Sequence, residues 1–134
     1  MGTLKEMLAG DMFAIQAGVQ LLETQPGRAL ARMEVTPRHL NSKGICQGGA
    51  LFTLADLAFA AVANSRGYLT LSLNANITFL RPVSRGYVYA EAAEVFGHRR
   101  VPFIEVRLTD DDDNLVAVFT SSGYRKSEPL DVTL

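Results

Sequence analysis

The run QGGALFTLADLAFAAVANSRG, from Gln47 to Gly67, limits the possible folds more than any other stretch of the chain. Two glycines open it and one closes it, and between them lie mostly alanine and leucine, both good helix formers. Gly67 suits the left-handed residue that ends many helices. The pattern predicts one helix over 49–65, about 25 Å long at ~1.5 Å per residue. Its apolar residues lie all round the cylinder, so it is expected to be buried on most sides. One charge, Asp56, interrupts it, and a carboxylate in such a place is costly without compensation. The rest of the chain has to wrap this helix, and 134 residues suffice for one domain, 1–134, with a real core.

The wrapper reads as strands. Leu4, Met7 and Leu8 give residues 3–12 a helical pattern, a lead-in helix within 1–12. Residues 19–24 and 28–36 alternate about a Pro26-Gly27 turn, with Ala29, Ala31, Met33 and Val35 on one face. Pro37 ends that strand, and 38–47, with Asn41, Ser42 and Gly44, reads as an irregular loop. After Gly67, Leu69, Leu71, Leu73, Ala75, Ile77 and Phe79 alternate with Thr70, Ser72, Asn74, Asn76 and Thr78. A strand of that length, about 40 Å, must curve. Further strands are expected over 87–96, 101–109 and 115–125, with turns at 84–86, 97–100 and 110–114, and 126–134 reads as a loose tail. The class is α+β: one antiparallel sheet packed around one long helix.

Thirteen basic against fourteen acidic residues give a net charge of −1. No basic stripe is present, which argues against nucleic acid as a partner, although a small anion needs only a local patch. The single cysteine, Cys46, excludes an internal disulfide and fits a reducing, cytoplasmic setting. The segment MGTLKEMLAGDMF carries acidic residues and no long apolar run, so it does not read as a signal peptide. The helix around Asp56 is too short and too charged for a membrane span, and no membrane partner is expected.

The segment HLNSKGICQGGALFTLADLAFAAVANSRG, followed by SLNANITFLRP, resembles the hotdog-fold acyl-CoA thioesterases of the phenylacetate-pathway (PaaI-like) type. The likeness runs from about Leu40 to Tyr124. It rests on the Asn-x-x-Gly spacing at Asn41 to Gly44, on the Gly-Gly pair, and on an aspartate eight residues after the first glycine of that pair. The family usually has His-Gly-Gly; here Gln47 takes the first position.

Each candidate has a chemical and a plain reading. Gly48 and Gly49 stand where a helix leaves N–H groups unpaired and the dipole adds positive potential, a place to hold an oxyanion; they also simply let the helix start pack tightly. Asp56 has no basic residue within a helical turn, so burial should raise its pKa, which suits a general base; it could equally be a hydrogen-bonded structural carboxylate. Gly49 and Asp56 share a face but lie about 10 Å apart along the axis, too far to act on one carbonyl. The resemblance implies the resolution: sites at a dimer interface, with glycine amides from one chain and the aspartate from the other, in a tetramer built as a dimer of dimers. It further implies that Asn41 helps bind the thioester carbonyl, that Ser72 assists the aspartate, and that Gln47 faces the leaving sulfur. Asn41 is otherwise a turn former, and Ser72 otherwise a solvated strand position.

Phe52 and Phe59 could line an acyl pocket. Arg81, Arg85, Arg99 and Arg100 form the best local cluster for coenzyme A phosphates, since guanidinium matches phosphate geometry, and are otherwise turn charges in solvent. Cys46 lacks an oriented base nearby in sequence and reads as a small buried thiol. Asp110 to Asp113 lack the alternation and distal glutamate of a calcium loop and read as a hairpin tip. The expected activity is hydrolysis of an acyl- or aryl-acyl-CoA to free acid and coenzyme A, with no metal or other cofactor. The alternative is a non-catalytic acyl-CoA binder on the same fold, kept open by Gln47. A dehydratase of the same fold is disfavoured, because neither His39 nor His98 lies at the helix.

Overall fold

The structure is a computed structural model and describes residues 2–134. Its elements run β1 (Gly2–Thr3), α1 (Leu4–Leu8), α2 (Met12–Gln16), β2 (Val19–Gln25), β3 (Arg28–Val35), a 3-10 turn (Pro37–His39), α3 (Gly48–Ala63), β4 (Tyr68–Phe79), β5 (Gly86–Phe96), β6 (Phe103–Thr109), β7 (Leu115–Pro129) and β8 (Val132–Thr133). Six strands form one antiparallel sheet in the order β2-β3-β5-β6-β7-β4. The helix α3 lies across it and touches all six strands. This is the α+β hotdog arrangement.

Small residues on both layers let the helix lie close to the sheet. Ala29, Ala31, Ala90 and Ala92 on β3 and β5, and Ala55, Ala58 and Ala61 on α3, are all buried. Leu54, Val62, Met33, Val88, Ile104, Val106, Leu108 and Phe119 fill the remaining space and are fully buried. In so closed a core, truncating Leu54 to alanine should cost about 2–5 kcal/mol. The end of α3 is fastened by Asn64, whose Nδ2 donates to the Ala60 carbonyl (2.8 Å) while its Oδ1 accepts from the Thr70 N–H (2.9 Å). Gly67 follows with φ +92°, the left-handed residue expected there.

Two expectations at the termini are corrected. The lead-in segment is not one helix over 3–12. Thr3 and Glu6 form a capping box that starts α1, and the Asp11 side chain accepts from the Ala14 N–H (3.1 Å) and starts α2. Gly10, a poor helix former, lies between them. Residues 126–134 are not a loose tail either: β7 continues to Pro129, and β8 pairs in parallel with β1.

The long strand also departs from simple alternation. Ser72 pairs with Gly123 but Asn74 with Ser122, so Leu73 is an extra residue in β4. Such a bulge moves every later side chain to the opposite face. Directly paired residues share a face, so Leu71 goes with exposed Tyr124, whereas Ala75 and Ile77 go with buried Ser121 and Phe119. Ser72 consequently points with the helix-side residues, and Leu71 and Leu73 stand 52% and 61% exposed on an edge strand.

Candidate active site

The loop before α3 is wound by Asn41. Its Oδ1 accepts from the N–H groups of Lys43 (2.9 Å) and Ile45 (3.1 Å), and its own N–H donates to the Ile45 carbonyl (2.8 Å). The turn-forming role is therefore real, and it belongs to the oxygen. The side-chain NH₂ finds no acceptor among the described residues and is left as a donor. Gly44 takes φ +76° in the same turn. The loop is then fixed by the Cys46 N–H on the Val83 carbonyl and the Gln47 N–H on the His39 carbonyl, both 2.8 Å.

Gln47 is the residue from which α3 starts, with extended backbone and no capping bond from its side chain. Its carbonyl accepts from Ala50 (3.0 Å) and Leu51 (3.4 Å). The amides of Gly48 and Gly49 have no acceptor among the described residues, as expected of a first helical turn. Any larger residue at either place would have to displace a neighbouring side chain. A Cβ at position 48 would lie 2.7 Å from the Phe79 ring, and one at position 49 would lie 2.7 Å from Oε1 of Gln47. The steric reading of this pair is met, and its two amides are left as donors.

Asp56 is half-buried two turns further on, with no ion pair or hydrogen bond to its carboxylate among the described residues. Burial, reinforced by the Asp11 carboxylate, holds its pKa above the ordinary carboxylate range. Eight residues separate it from Gly48, about 12 Å along the axis, so one chain does not bring the pair to a common atom. Ser72 faces the helix side, where its hydroxyl meets that of Ser121 at 3.1 Å; Ser121 in turn donates to the Asn74 carbonyl at the bulge (2.7 Å). Phe52 packs edge-on against Phe119 at 5.3 Å between centroids and stays partly open. Phe59 is only 3% exposed and belongs to the core, so within one chain it lines no open pocket. Burial pushes the Cys46 thiol up to about 11, which removes it as a nucleophile near neutrality.

The four arginines do not form one cluster. Arg81 and Arg85 precede β5, and Arg99 and Arg100 follow it. Eleven residues of strand between them amount to about 35 Å. Arg99 and Arg100 line a groove of about 630 Å³ with Arg66, Arg125, Lys126 and a single carboxylate, Glu94. Glu94 pairs with Arg66 at 3.0 Å and with Arg125 at 3.6 Å. Buried Arg125 also donates to the Ala63 carbonyl (3.3 Å), so the groove abuts the C-terminal end of α3. Sequence reading missed Arg66, Arg125 and Lys126 because only the pairing of β4 with β7 and of β5 with β6 gathers them. A second groove, about 540 Å³, opens beside Gln47 and Gly49 and is walled by Phe13, Ala17, Ala50 and Tyr87.

Comparison with known proteins bears on the family and the fold. The sequence profile of the Thioesterase superfamily matches residues 43–117. A putative esterase of Archaeoglobus fulgidus is 34% identical over 116 residues, covering 85% of this chain and 75% of that protein. The acyl-coenzyme A thioesterase PaaI of Escherichia coli K12 is 31% identical over 120 residues, covering 89% and 86%. The solved structure of the E. coli PaaI protein from the phenylacetic acid degradation operon superposes with a TM-score of 0.88 at 29% identity, over 92% of this chain and 91% of that one.

Proposed function

The chain belongs to the thioesterase superfamily, and from that membership we propose how its residues divide the hydrolysis of an acyl-CoA thioester. The protein is a thioester hydrolase acting on acyl-coenzyme A. The observation that carries the assignment of roles is the make-up of α3: among the described residues, two amides at its start have no acceptor and a half-buried carboxylate in its middle has no cation. The Gly48 N–H and the Asn41 NH₂ hold the thioester oxygen as it becomes an oxyanion. Asp56 of a second copy takes a proton from water as the water oxygen bonds to the carbonyl carbon. The C–S bond then breaks, the acid is released, and coenzyme A leaves as thiolate facing Gln47. Glutamine donates through its amide but carries no proton to the sulfur, and a thiolate needs little help to leave. No metal enters this scheme.

Distance and the sheet edge both support a second copy. One helix cannot bring Gly48 and Asp56 to one carbonyl, and β4 offers an unpaired edge with Leu71 and Leu73 exposed. Pairing of two β4 strands supplies the missing half of each site, and two such dimers complete the proposed tetramer. The nucleotide phosphates of coenzyme A are assigned to the groove of Arg66, Arg99, Arg100 and Lys126, and not to Arg81 or Arg85. No described helix is long and apolar enough to cross a membrane; a cytoplasmic setting, suited to an unoxidised Cys46, is part of the proposal.

The test is release of free thiol from a panel of alkyl- and aryl-acyl-CoA esters by wild type and Asp56→Asn. Wild-type turnover that the variant loses is the expected result. Full turnover in the variant would remove Asp56 from the chemistry. Single-turnover hydrolysis in ¹⁸O water separates the two routes: label enters the acid directly if Asp56 is a base, and enters Asp56 if it attacks the carbonyl itself.

A further inference from the structure

Contrary to the expectation that neither histidine lies at the helix, His39 sits at the start of α3 and joins three parts of the chain that meet there; its ring is held by contacts at both nitrogens and is not a free acid or base. Its Nδ1 accepts from the Thr36 N–H at 3.0 Å. A backbone amide can only donate, so the proton of the neutral ring sits on Nε2, which donates to the Ala17 carbonyl at 2.6 Å. The ring is thereby held at both ends, by the 3-10 turn on one side and by the segment joining α2 to β2 on the other. The main-chain carbonyl of the same residue accepts the Gln47 N–H at 2.8 Å. With its N–H committed there, Gln47 turns its own carbonyl into α3, and the Gly48 and Gly49 amides come next in the chain, without acceptors among the described residues.

We infer that His39 is a positioning residue: by anchoring the backbone on which Gln47 hangs, it aims the amides of Gly48 and Gly49 at the thioester oxygen. This rests on the reading of those amides given above and adds to it the device that orients them. It also gives α2 a task, since the Ala17 carbonyl is the far anchor. The role does not require the ring to touch substrate or to carry a proton. What it governs is a donor direction, and a misplacement of about 1 Å in such a group can cost a hundredfold in rate. Because oxyanion donors act mainly in the transition state, the effect belongs in kcat rather than KM.

The experiment is steady-state kinetics of the full-length protein with one acyl-CoA that wild type hydrolyses. His39→Ala should lower kcat about tenfold or more, with KM changed less than about twofold. Two further variants each keep half of the clamp: asparagine can replace Nδ1 as acceptor for Thr36, and glutamine can replace Nε2–H as donor to Ala17. H39N and H39Q should each recover part of the lost kcat, and they stand in for alanine if that variant fails to fold. Val106→Ala, in the core away from the loop, controls for general loss of stability. The ¹⁵N shifts of the wild-type imidazole should report a protonated Nε2 and a bare Nδ1. An unchanged kcat in H39A, a loss no larger than that in a V106A protein of equal stability, or the opposite tautomer would overturn the role. A wild type that hydrolyses no acyl-CoA would instead overturn the functional reading and this role with it.

Discussion

The Phe79 ring lies directly against the Cα of Gly48, so that strand β4 roofs the first residue of α3 with no room for a methyl group between them. Two demands therefore fall on one glycine: the ring lies against its bare Cα, and the proposed oxyanion needs its N–H in place. Gly48→Ala keeps that N–H but adds a methyl that meets the ring, so it should lower kcat by about tenfold by displacing the amide, while shifting Tm by only a few degrees, since the half-exposed ring can give way. Adding Phe79→Ala makes room for the methyl and should return part of the lost kcat to G48A. An unrecovered kcat in the double variant would show that contact with the ring is not the cause.

Asp56 carries the pH dependence. A base must be ionised, and burial beside Asp11 holds this carboxyl above its ordinary range. The acid limb of the kcat/KM profile should accordingly fall at higher pH than an exposed aspartate would give. Asp11→Asn isolates the second cause. Asparagine still caps α2, but the like charge is gone, so the limb should move to lower pH with little change in Tm. An unmoved limb would show that Asp11 does not act on the base.

The same residue sets a stability trend of known sign. Because its pKa is raised on folding, the folded state binds more protons than the unfolded one around that pKa, and stability falls as pH rises through it. The contribution is fully present below the unfolded value and gone above the folded one. Asp56→Asn removes a desolvated charge, so at neutral pH it should melt at or above wild type while losing about a hundredfold or more in kcat. Thermal melts of both proteins at acid and neutral pH check this, and the difference between them should shrink toward acid.

Much of this was legible in the chain, and the exceptions share a cause. The helix, its terminal Gly67 and the alternation of β3 depend on neighbours in sequence, and each appears where periodicity puts it. The bulge at Leu73 does not, because it is decided by which residues β7 presents opposite. It turned a uniform apolar stripe into two faces and moved Ser72 to the helix side. The pairing of residues 132–133 with 2–3 was hidden for the same reason: the partners are the two ends of the chain. The arginines were grouped by nearness in sequence, whereas a strand places its two ends about 35 Å apart. His39 was visible only as an isolated histidine, and nothing local predicts that Ala17 is its partner.

The basic groove makes a prediction about substrate parts rather than rate. Arg99 is exposed and Arg100 partly so, and neither forms an ion pair among the described residues. Replacing both by alanine should raise KM for acyl-CoA about tenfold, with kcat nearly kept, as loss of uniform binding requires. KM for the same acyl group on pantetheine, which has no nucleotide, should not move. Replacing Arg81 and Arg85 should leave both unchanged. Added salt should weaken wild-type binding of acyl-CoA more than that of the truncated ester.

The strictest test concerns the two copies. If each site takes Gly48 from one chain and Asp56 from another, G48A and D56N damage different halves of it. Alone, each homodimer carries the same defect in both sites. Co-expressed, the two chains form mixed dimers in which one site holds both defects and the other holds none. Random pairing makes half the dimers mixed, so activity should return to about a quarter of wild type. Sites built within one chain would give no recovery, because every site would keep a defect. A charge on the β4 edge, Leu73→Lys, should act on the same assembly from the other side, shifting the protein toward monomer in light scattering and removing turnover. Recovery in the mixture together with loss in the edge variant would place Asp56 and Gly48 across one seam.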